Sequence, residues 1–348
     1  MIDAVRRFEG FEEVQRVMAC ALERVRDRFD SHLASDLPAV DRLVRHVEHY
    51  RGKMLRPMLV IAGGLATHPQ AATTPGESLG SLIGDDHITA AAVCEMVHMA
   101  TLVHDDVLDE ADVRRGGRTV SRLHGNEAAV ILGDLLIASA YHLCSQLDSQ
   151  RSALLIGRVS MEMCSGELLQ LHHRGDYSID EATYFEIIRR KTGALIAASG
   201  ELGAMHAGAS PEAARAMAWF GSRLGLAFQI QDDVLDLIGR EDVVGKSVGR
   251  DLAKSKLTLP VIHHLASADA VERGRSLAAI DDACREDAPP EASRAVRQRL
   301  DATGSIAHAR TVAGALVAQA RAALDPLAPT AAREALFAMA DAAVDRAR

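Results

Sequence analysis

The chain has 348 residues, of which 48% are hydrophobic and 25% charged, a balance typical of a soluble globular protein. Aromatic residues make up only 3%, which disfavours a β-sandwich or β-barrel, and the net charge of −9 leaves no basic excess for a nucleic-acid partner. The first residues lack the apolar core of a signal peptide, and acidic residues interrupt the apolar runs before they reach the roughly 18 residues of a membrane span. We therefore expect a cytoplasmic protein without a transmembrane segment.

Apolar residues recur at helical spacing along most of the chain, and no linker separates two halves. The sequence predicts one all-α domain over residues 1–348, with C-terminal helices in 281–348. Two glycine-rich breaks, 63–86 and 239–249, are predicted as loops, the first of them on the surface. The predicted long helices are 11–33, 89–108, 127–147, 153–171, 181–205 and 212–238, the last one starting at a Ser-Pro pair.

The pentapeptide DDVLD occurs twice, at residues 105–109 and 232–236, each time near the end of a long apolar helix. In each copy the first and last aspartates are four residues apart, so on a helix their Cβ atoms share one face at about 6 Å. Paired carboxylates repel each other, and the C-terminal end of a helix dipole disfavours them further. Mg²⁺ relieves both costs because it binds one or two carboxylates together with substrate phosphates. The alternative is two solvated acidic helix ends.

Basic residues form three clusters, one after each acidic copy and a third upstream of the first copy. Their members are Arg114 with Arg115, Lys246 with Lys256, and Lys53 with Arg56. A diphosphate held by metal ions on one side and by cations on the other fits this arrangement. Two acidic pairs with three basic clusters therefore predict two diphosphate sites.

A series of segments occurs in the order GKMLRP, EMVHMATLVHDDVLDEADVRRG, GELLQL, KTGALI, FQIQDDVLD, GKSVGRDL and KLTLP. In these segments the sequence resembles the all-trans polyprenyl diphosphate synthase family, which extends isoprenoid chains head to tail. The resemblance spans nearly the whole chain and implies a single helical bundle around a deep central cavity, as a homodimer. Arg51 departs from the pattern, because many relatives have glycine there.

The resemblance also implies a role for each matching residue. About three Mg²⁺ ions per active site would be held by Asp105, Asp109, Asp232 and Asp236. The allylic diphosphate would be bound, or its departure assisted, by Arg114, Lys191, Thr192, Gln229, Lys246 and Lys256. Isopentenyl diphosphate would be bound by Lys53, Arg56, His98 and Arg115. The catalytic residues among these would be Asp105, Asp109, Asp232, Lys191 and Lys246. Further carboxylates would be Asp106, Asp233 and Asp251, and Gln170 would bond to metal-bound water.

In the implied reaction, the allylic C–O bond breaks and the double bond of isopentenyl diphosphate attacks the resulting carbocation. Metal ions and cations stabilise the charge on the leaving diphosphate, which then takes the final proton. A class I terpene cyclase and a non-catalytic partner subunit are the rival hypotheses. Both usually lack one of the acidic motifs that this chain keeps. Transient membrane contact by the C-terminal helices is a further open alternative.

Three small side chains precede the first acidic copy, namely Val97, Ala100 and Thr101. One helical turn is about 5.4 Å, so side chains one turn before Asp105 are expected beneath the reacting diphosphate. Because none of them is aromatic, we predict a long product, of about thirty carbons or more, suited to a quinone side chain. The alternative is a geranylgeranyl or farnesyl diphosphate synthase, in which side chains from other helices close the cavity.

Overall fold

The computed structural model describes residues 11–238, 249–285 and 289–345. In these residues the fold is all-α, as predicted, with sixteen α-helices and one two-stranded hairpin. Helices α1 to α8 are Phe11–Leu33, Pro38–Val47, Leu55–Thr67, Asp85–Leu108, Val120–His124, Asn126–Cys144, Gln150–His172 and Glu181–Ile188. Helices α9 to α16 are Ala194–His206, Pro211–Ile238, Arg250–Ala253, Leu259–Ser267, Ala270–Ala283, Pro290–Ala302, Ser305–Ala323 and Ala331–Val344. The hairpin pairs β1, Val113–Arg114, with β2, Gly117–Arg118.

Most predicted helices are found close to their expected bounds. Helix α1 matches its prediction at both ends, and α10 begins at Pro211 as the Ser-Pro pair indicated. A π-helical turn, Arg189–Gly193, interrupts the helix predicted over 181–205. Such turns are frequent at functional sites, and this one separates α8 from α9.

The surface loop predicted over 63–86 was too long. Residues 63–67 are the buried last turns of α3, residues 76–82 form a 3₁₀ segment, and α4 already begins at Asp85. The glycines of α3 and α9 lie where the two backbones approach each other. A methyl group at Gly64 of α3 would come within 3.4 Å of the Gly203 carbonyl oxygen, and one at Gly203 of α9 within 2.9 Å of the carbonyl carbon of Val60, so α3 and α9 pack backbone against backbone.

The described chain forms two compact units. The first contains the described residues of Met1–Met161, Leu195–Gly221 and Arg321–Met339, and the second contains the described residues of Glu162–Ala194, Ser222–Ala320 and Ala340–Arg348. The single domain over 1–348 therefore stays a prediction, as does the central cavity. The first acidic copy lies in the first unit and the second copy in the second unit.

Helix α4 is the core of the first unit, where it contacts α1, α3 and α6. Its residues from His87 to Val97 are all buried, so the helix is apolar on every side until its last turns. In the second unit α12 contacts α8 and α14, and the buried His264 bonds to the hydroxyls of Ser276 at 2.7 Å and Thr303 at 2.8 Å. Each unit therefore has its own interior.

Among the described helices, α6 has the length and composition of a membrane-crossing helix, and 39% of its apolar window is buried. These two properties are weak evidence for a membrane span, because core helices of soluble proteins share them. The large apolar residues that α6 leaves exposed are Val130, Ile131, Leu135 and Tyr141.

Candidate active site

The first acidic copy ends helix α4. Asp105 and Asp109 are half-buried on one side of the helix, and the backbone N–H of Asp109 donates to the Asp105 carbonyl at 2.8 Å. The middle carboxylate, Asp106, points inward and is only 1% exposed. The copy therefore presents an outer pair of carboxylates to solvent and keeps a third one inside the protein.

Asp106 is bound by one of the predicted diphosphate ligands. Its Oδ1 accepts a hydrogen bond from Nε of Arg114 at 2.8 Å, and the guanidinium lies 5.9 Å from the ring centre of Tyr50. The Tyr50 hydroxyl in turn accepts from the Val120 N–H at 3.0 Å. Burial, together with the nearby Asp106, raises the pKa of Tyr50 well above its usual range. Asp106 thus holds Arg114 beside the acidic pair.

The hairpin β1–β2 sets the direction of Arg115. Arg115 and Gly116 occupy its two turn positions with φ of 51° and 79°, the positive values of a type I′ turn. Nη1 of Arg115 donates to the Tyr50 carbonyl, and its guanidinium carbon would lie 2.7 Å from a methyl group at Gly52. The turn therefore brings Arg115 against the loop that carries Lys53, whose side chain is exposed.

Four predicted isopentenyl-site residues lie in the first unit, namely Lys53, Arg56, His98 and Arg115. Arg56 is in the first turn of α3 and is half-buried, as is His98 on α4. Burial, followed by the charges of Arg56, Arg115 and Arg114, lowers the pKa of His98 well below its usual range. His98 is therefore a neutral imidazole that can donate a hydrogen bond.

Glu95 interacts with this basic cluster, and the sequence analysis missed it. Its side chain is 2% exposed, and burial raises the pKa of its carboxyl, while Arg56, Arg115 and Arg51 act in the opposite direction. The available signal was a single glutamate in a helix of apolar residues, one turn before His98.

Arg51, the residue that departs from the family pattern, is bound to α1. Its guanidinium bonds both carboxylate oxygens of Asp30, one of them at 3.1 Å, and lies 4.7 Å above the ring of Phe29. Arg51 therefore fixes the start of the Lys53 loop to α1.

The second acidic copy has a different inner network. Asp233 is buried and accepts hydrogen bonds from the Tyr184 hydroxyl at 2.6 Å and from Nε2 of Gln229 at 2.8 Å. The side-chain oxygen Oε1 of Gln229 accepts from the Thr192 hydroxyl at 2.9 Å. Burial, with Asp251 nearby, raises the pKa of Asp233. These bonds connect the end of α10 to α8 and to the π-helical turn.

The half-buried Asp232 and Asp236 form the outer pair of this copy. The Gly249 N–H donates to the Asp236 carbonyl at 2.7 Å, and the Asp251 N–H donates to its Oδ2 at 3.1 Å. The N–H of Lys256 then donates to the Asp251 carbonyl at 2.9 Å. These backbone bonds bring the segment with Lys256 to the end of α10. Lys246 lies outside the described residues.

The π-helical turn carries Lys191, whose ammonium pairs with the carboxylate of Glu167 on α7. Gln170, predicted to bond metal-bound water, donates to the other oxygen of Glu167 at 3.2 Å. A methyl group at Gly166 would lie 2.7 Å from the Lys191 nitrogen, so this glycine lets α7 and the turn approach closely. Glu167 therefore bonds both Lys191 of the turn and Gln170 of its own helix.

The predicted chain-length residues differ in exposure. Val97 and Ala100 are 1% and 0% exposed, so both are buried in the first unit. Thr101 is half-buried instead, as is its neighbour Leu102, which the sequence analysis did not single out. Four residues rotate a helix by about 40° past a full turn but five rotate it by about 140°. Thr101 therefore lies below Asp105, whereas Ala100 points away from it.

In the described residues, no group of three or more His, Cys, Asp and Glu side chains is arranged to hold a metal ion. The donor set consists of two aspartate pairs, each at i and i+4. Such pairs fit Mg²⁺, which takes one or two carboxylates and completes its shell with water and substrate phosphate. They do not fit a structural zinc site, which needs four protein ligands.

Residues 38–296 match the sequence model of the polyprenyl synthetase family. The chain belongs to this family. The family predicted from the resemblance of the seven sequence segments is thereby confirmed, and the protein is a trans-prenyltransferase.

Polyprenyl synthetase relatives cover nearly the whole chain. The chain is 31% identical over 337 residues to the octaprenyl diphosphate synthase of Haemophilus influenzae, covering 97% of both chains. It is 30% identical over 330 residues to the geranylgeranyl diphosphate synthase of Methanosarcina mazei, covering 93% of this chain and 98% of that one. The relatives therefore include enzymes named for longer products and enzymes named for shorter ones.

Solved polyprenyl synthetase structures are also similar. The decaprenyl diphosphate synthase of Rhodobacter capsulatus gives a TM-score of 0.85 at 31% identity and covers 97% of this chain and 99% of its own. A polyprenyl synthase of Caulobacter crescentus, solved with calcium and isoprenyl diphosphate, gives a TM-score of 0.84 at 30% identity. It covers 96% of this chain and 97% of its own. These likenesses agree with the all-α fold.

Proposed function

We propose that the protein adds isopentenyl diphosphate units head to tail to an allylic diphosphate, giving a long all-trans product of about thirty carbons or more for a quinone side chain. One observation carries this proposal. Each of two aspartate pairs lies at a helix end, and each has its own set of cations in the same unit. A chain-elongating enzyme must hold two diphosphates, and each needs countercharge.

Asp105, Asp109, Asp232 and Asp236 would hold the Mg²⁺ ions, about three in number. When bound, these ions neutralise the charge that develops on the departing allylic diphosphate. The proposal is supported by the half-burial of all four carboxylates, which are accessible yet partly shielded from water. In the Caulobacter crescentus protein the bound metal is calcium, which also prefers oxygen ligands.

Lys53, Arg56 and Arg115 would bind isopentenyl diphosphate through charge, and neutral His98 would donate a hydrogen bond to it. Holding the diphosphate fixes the attacking double bond near the allylic carbon, so that proximity lowers the barrier. On the allylic side, Arg114, Lys191, Thr192, Gln229 and Lys256, with Lys246, would orient the leaving diphosphate. The ion pair between Glu167 and the Lys191 ammonium supports this role, because it restrains the side chain.

Thr101 supports the long product, since a small side chain below Asp105 leaves room for a growing hydrocarbon. Leu102, three residues before Asp105 and also half-buried, favours the alternative of a shorter product at geranylgeranyl or farnesyl length. Leucine is larger than threonine and would narrow the space first. Ala100 and Val97 support the proposal less, because both are packed inside the first unit.

A product assay tests the proposal. The purified protein is incubated with labelled isopentenyl diphosphate, Mg²⁺ and geranyl, farnesyl or geranylgeranyl diphosphate, and the dephosphorylated products are sized by chromatography. A product of about thirty carbons or more is expected. Termination at fifteen or twenty carbons would contradict the long product and leave the reaction class intact. A cyclic hydrocarbon would indicate a terpene cyclase, and no incorporation into folded protein would indicate a partner subunit.

We also propose that the protein is a cytoplasmic homodimer. The apolar residues that α6 leaves exposed support this, because soluble monomers rarely expose several large apolar side chains on one helix. Sedimentation should give twice the 37.3 kDa mass of the chain. Ile131→Glu should shift the protein towards the monomer, whereas Asp27→Ala on the exposed surface should leave the dimer intact. Sedimentation with vesicles measures any transient membrane contact.

A further inference from the structure

Tyr184 donates a hydrogen bond to the buried carboxylate of the second acidic copy. The tyrosine lies on α8 and is 3% exposed, and its hydroxyl donates to Oδ2 of Asp233 at 2.6 Å. Asp233 is itself only 5% exposed. Groups buried this deeply do not touch a ligand that arrives from solvent. Any effect of Tyr184 on a ligand must therefore pass through the residues that Asp233 binds in turn.

The other oxygen of Asp233 binds the amide of Gln229. The two residues are four apart on α10, so their side chains share one face of the helix. Nε2 of Gln229 donates to Oδ1 of Asp233 at 2.8 Å, and Oε1 of Gln229 accepts from the Thr192 hydroxyl at 2.9 Å. The nitrogen end of the amide thus faces an acceptor, and the oxygen end faces a donor. These two partners hold the amide in one orientation.

Gln229 is the point at which this network becomes accessible. Gln229 and Thr192 are half-buried, whereas Tyr184 and Asp233 are buried. A glutamine amide has two N–H donors, and the bond to Asp233 uses one of them. The second N–H can donate to an oxygen of a diphosphate. The single hydrogen of the Thr192 hydroxyl is already donated to Gln229, so Gln229 is the one of the two that can donate to a ligand.

A side chain that is oriented before its ligand arrives loses less conformational entropy on binding. We propose that Tyr184 is a positioning residue, which orients the Gln229 amide for the allylic diphosphate through Asp233. This inference rests on the proposed function, because the allylic diphosphate is assigned to Gln229 there. It concerns one substrate only, since isopentenyl diphosphate is assigned to residues of the first unit.

The test replaces Tyr184 by phenylalanine, which keeps the ring and removes only the hydroxyl. Binding of farnesyl diphosphate in the presence of Mg²⁺ is measured by calorimetry, and KM for each substrate by steady-state assay. Tyr184→Phe leaves one oxygen of Asp233 without its donor, so the Gln229 amide is held less firmly. Farnesyl diphosphate should bind about fivefold more weakly, with an equal rise in its KM. KM for isopentenyl diphosphate should change less than about twofold.

A double-mutant cycle separates positioning from a structural role. In a Gln229→Met background, Tyr184→Phe should cause no further loss of farnesyl diphosphate affinity, because the amide on which Tyr184 acts is absent. Tyr177→Phe is the matched control. It removes another tyrosine hydroxyl of the second unit that donates to a carboxylate, that of Asp281, and should leave both KM values unchanged.

Equal farnesyl diphosphate affinity in Tyr184→Phe and the wild type would overturn the inference. So would losses that add in the double variant, or equal losses for the two substrates, since a merely structural role predicts both results. Wild-type protein that neither binds nor extends farnesyl diphosphate would overturn the proposed function and this inference with it.

Discussion

Two copies of one pentapeptide end two helices, and the structure surrounds them differently. In the first copy the buried middle carboxylate, Asp106, is bound by the charged Arg114. In the second copy Asp233 is bound by the hydroxyl of Tyr184 and the amide of Gln229. The same five residues are stabilised by an ion pair in one place and by neutral hydrogen bonds in the other.

The difference shows which properties belong to the pentapeptide and which to its neighbours. The shared property is the outer aspartate pair, since i and i+4 share a face on any helix. The inner partner depends on the segment packed nearby, which is a hairpin with two arginines in the first unit and a π-helical turn in the second. The two copies thus share their outer carboxylate pair and differ in the residues that bind their inner carboxylate.

Removal of an outer aspartate should give the largest effect and test what the copies share. Asp105→Ala and Asp232→Ala should each lower kcat by about a thousandfold or more, because a metal-binding carboxylate is lost. Product formation at saturating substrates and Mg²⁺ measures this, with Asp27→Ala on the surface as control. If only one of the two variants lost activity, the aspartate pair of the unaffected copy would bind no essential metal.

Substitution of the residues that bind the inner carboxylates should lower the stability of the protein by different amounts for the two copies. Arg114→Met leaves Asp106 buried without its ion pair and should lower the free energy of unfolding by about 4 kcal/mol. Tyr184→Phe removes one neutral hydrogen bond to Asp233 and should lower it by about 1 kcal/mol. Denaturant unfolding monitored by circular dichroism measures both. Equal losses would show that the two inner carboxylates are stabilised in the same way.

Acid should destabilise α4, the helix that ends in the first copy, because it contains His87, whereas α10 contains no histidine. Burial, then the neighbouring His206, lowers the pKa of His87 to about 4. The folded state therefore binds its proton less readily than the unfolded state does. The free energy of unfolding should fall by about 3 kcal/mol as the pH drops from about 6.5 to about 4, with no further loss from this group below that.

His87→Gln keeps a donor for the Gly203 carbonyl and removes the titration. Denaturant unfolding at several pH values should give a flatter curve for this variant. A curve as steep as that of the wild type would assign the acid sensitivity to other groups, such as His206.

The smallest expected effect on the reaction rate comes from a substitution that changes the length of the product. Thr101→Phe places an aromatic ring below Asp105 and should shorten the product while the first condensation proceeds within about threefold of the wild-type rate. Ala100→Phe should instead destabilise the first unit by about 2 kcal/mol, because its side chain has no space in the packed interior. Product sizing and thermal unfolding of both variants decide between these positions. A shorter product from Ala100→Phe in a stable protein would reverse the assignment.

Much of the fold could be predicted from the sequence where a local pattern indicates a helix or its start. Helical spacing placed α1, and the Ser-Pro pair placed the start of α10, because both signals are local. The family followed from segments that are individually weak and jointly specific. Glu95 was missed because its meaning depends on arginines from distant segments, and one acid in an apolar helix forms no pattern.

Two errors have geometric causes. The glycines of the predicted 63–86 loop were taken as helix breakers, although two of them end α3 and pack against the partner helix α9. Ala100 and Thr101 were treated as equivalent because they are adjacent in sequence, yet a helix directs adjacent side chains about 100° apart. Local patterns specify elements well, whereas the neighbour of a given side chain depends on the whole fold.

The hairpin pairs Val113 with Arg118 and Arg114 with Gly117, and this register separates two adjacent arginines. Arg114 is in the strand and bonds Asp106, while Arg115 is in the turn and bonds the Tyr50 carbonyl. A slip of the register by one residue would send each guanidinium to the other side of the ribbon. The tight two-residue turn therefore determines where each guanidinium lies, so that two chemically identical groups place their positive charges at different sites.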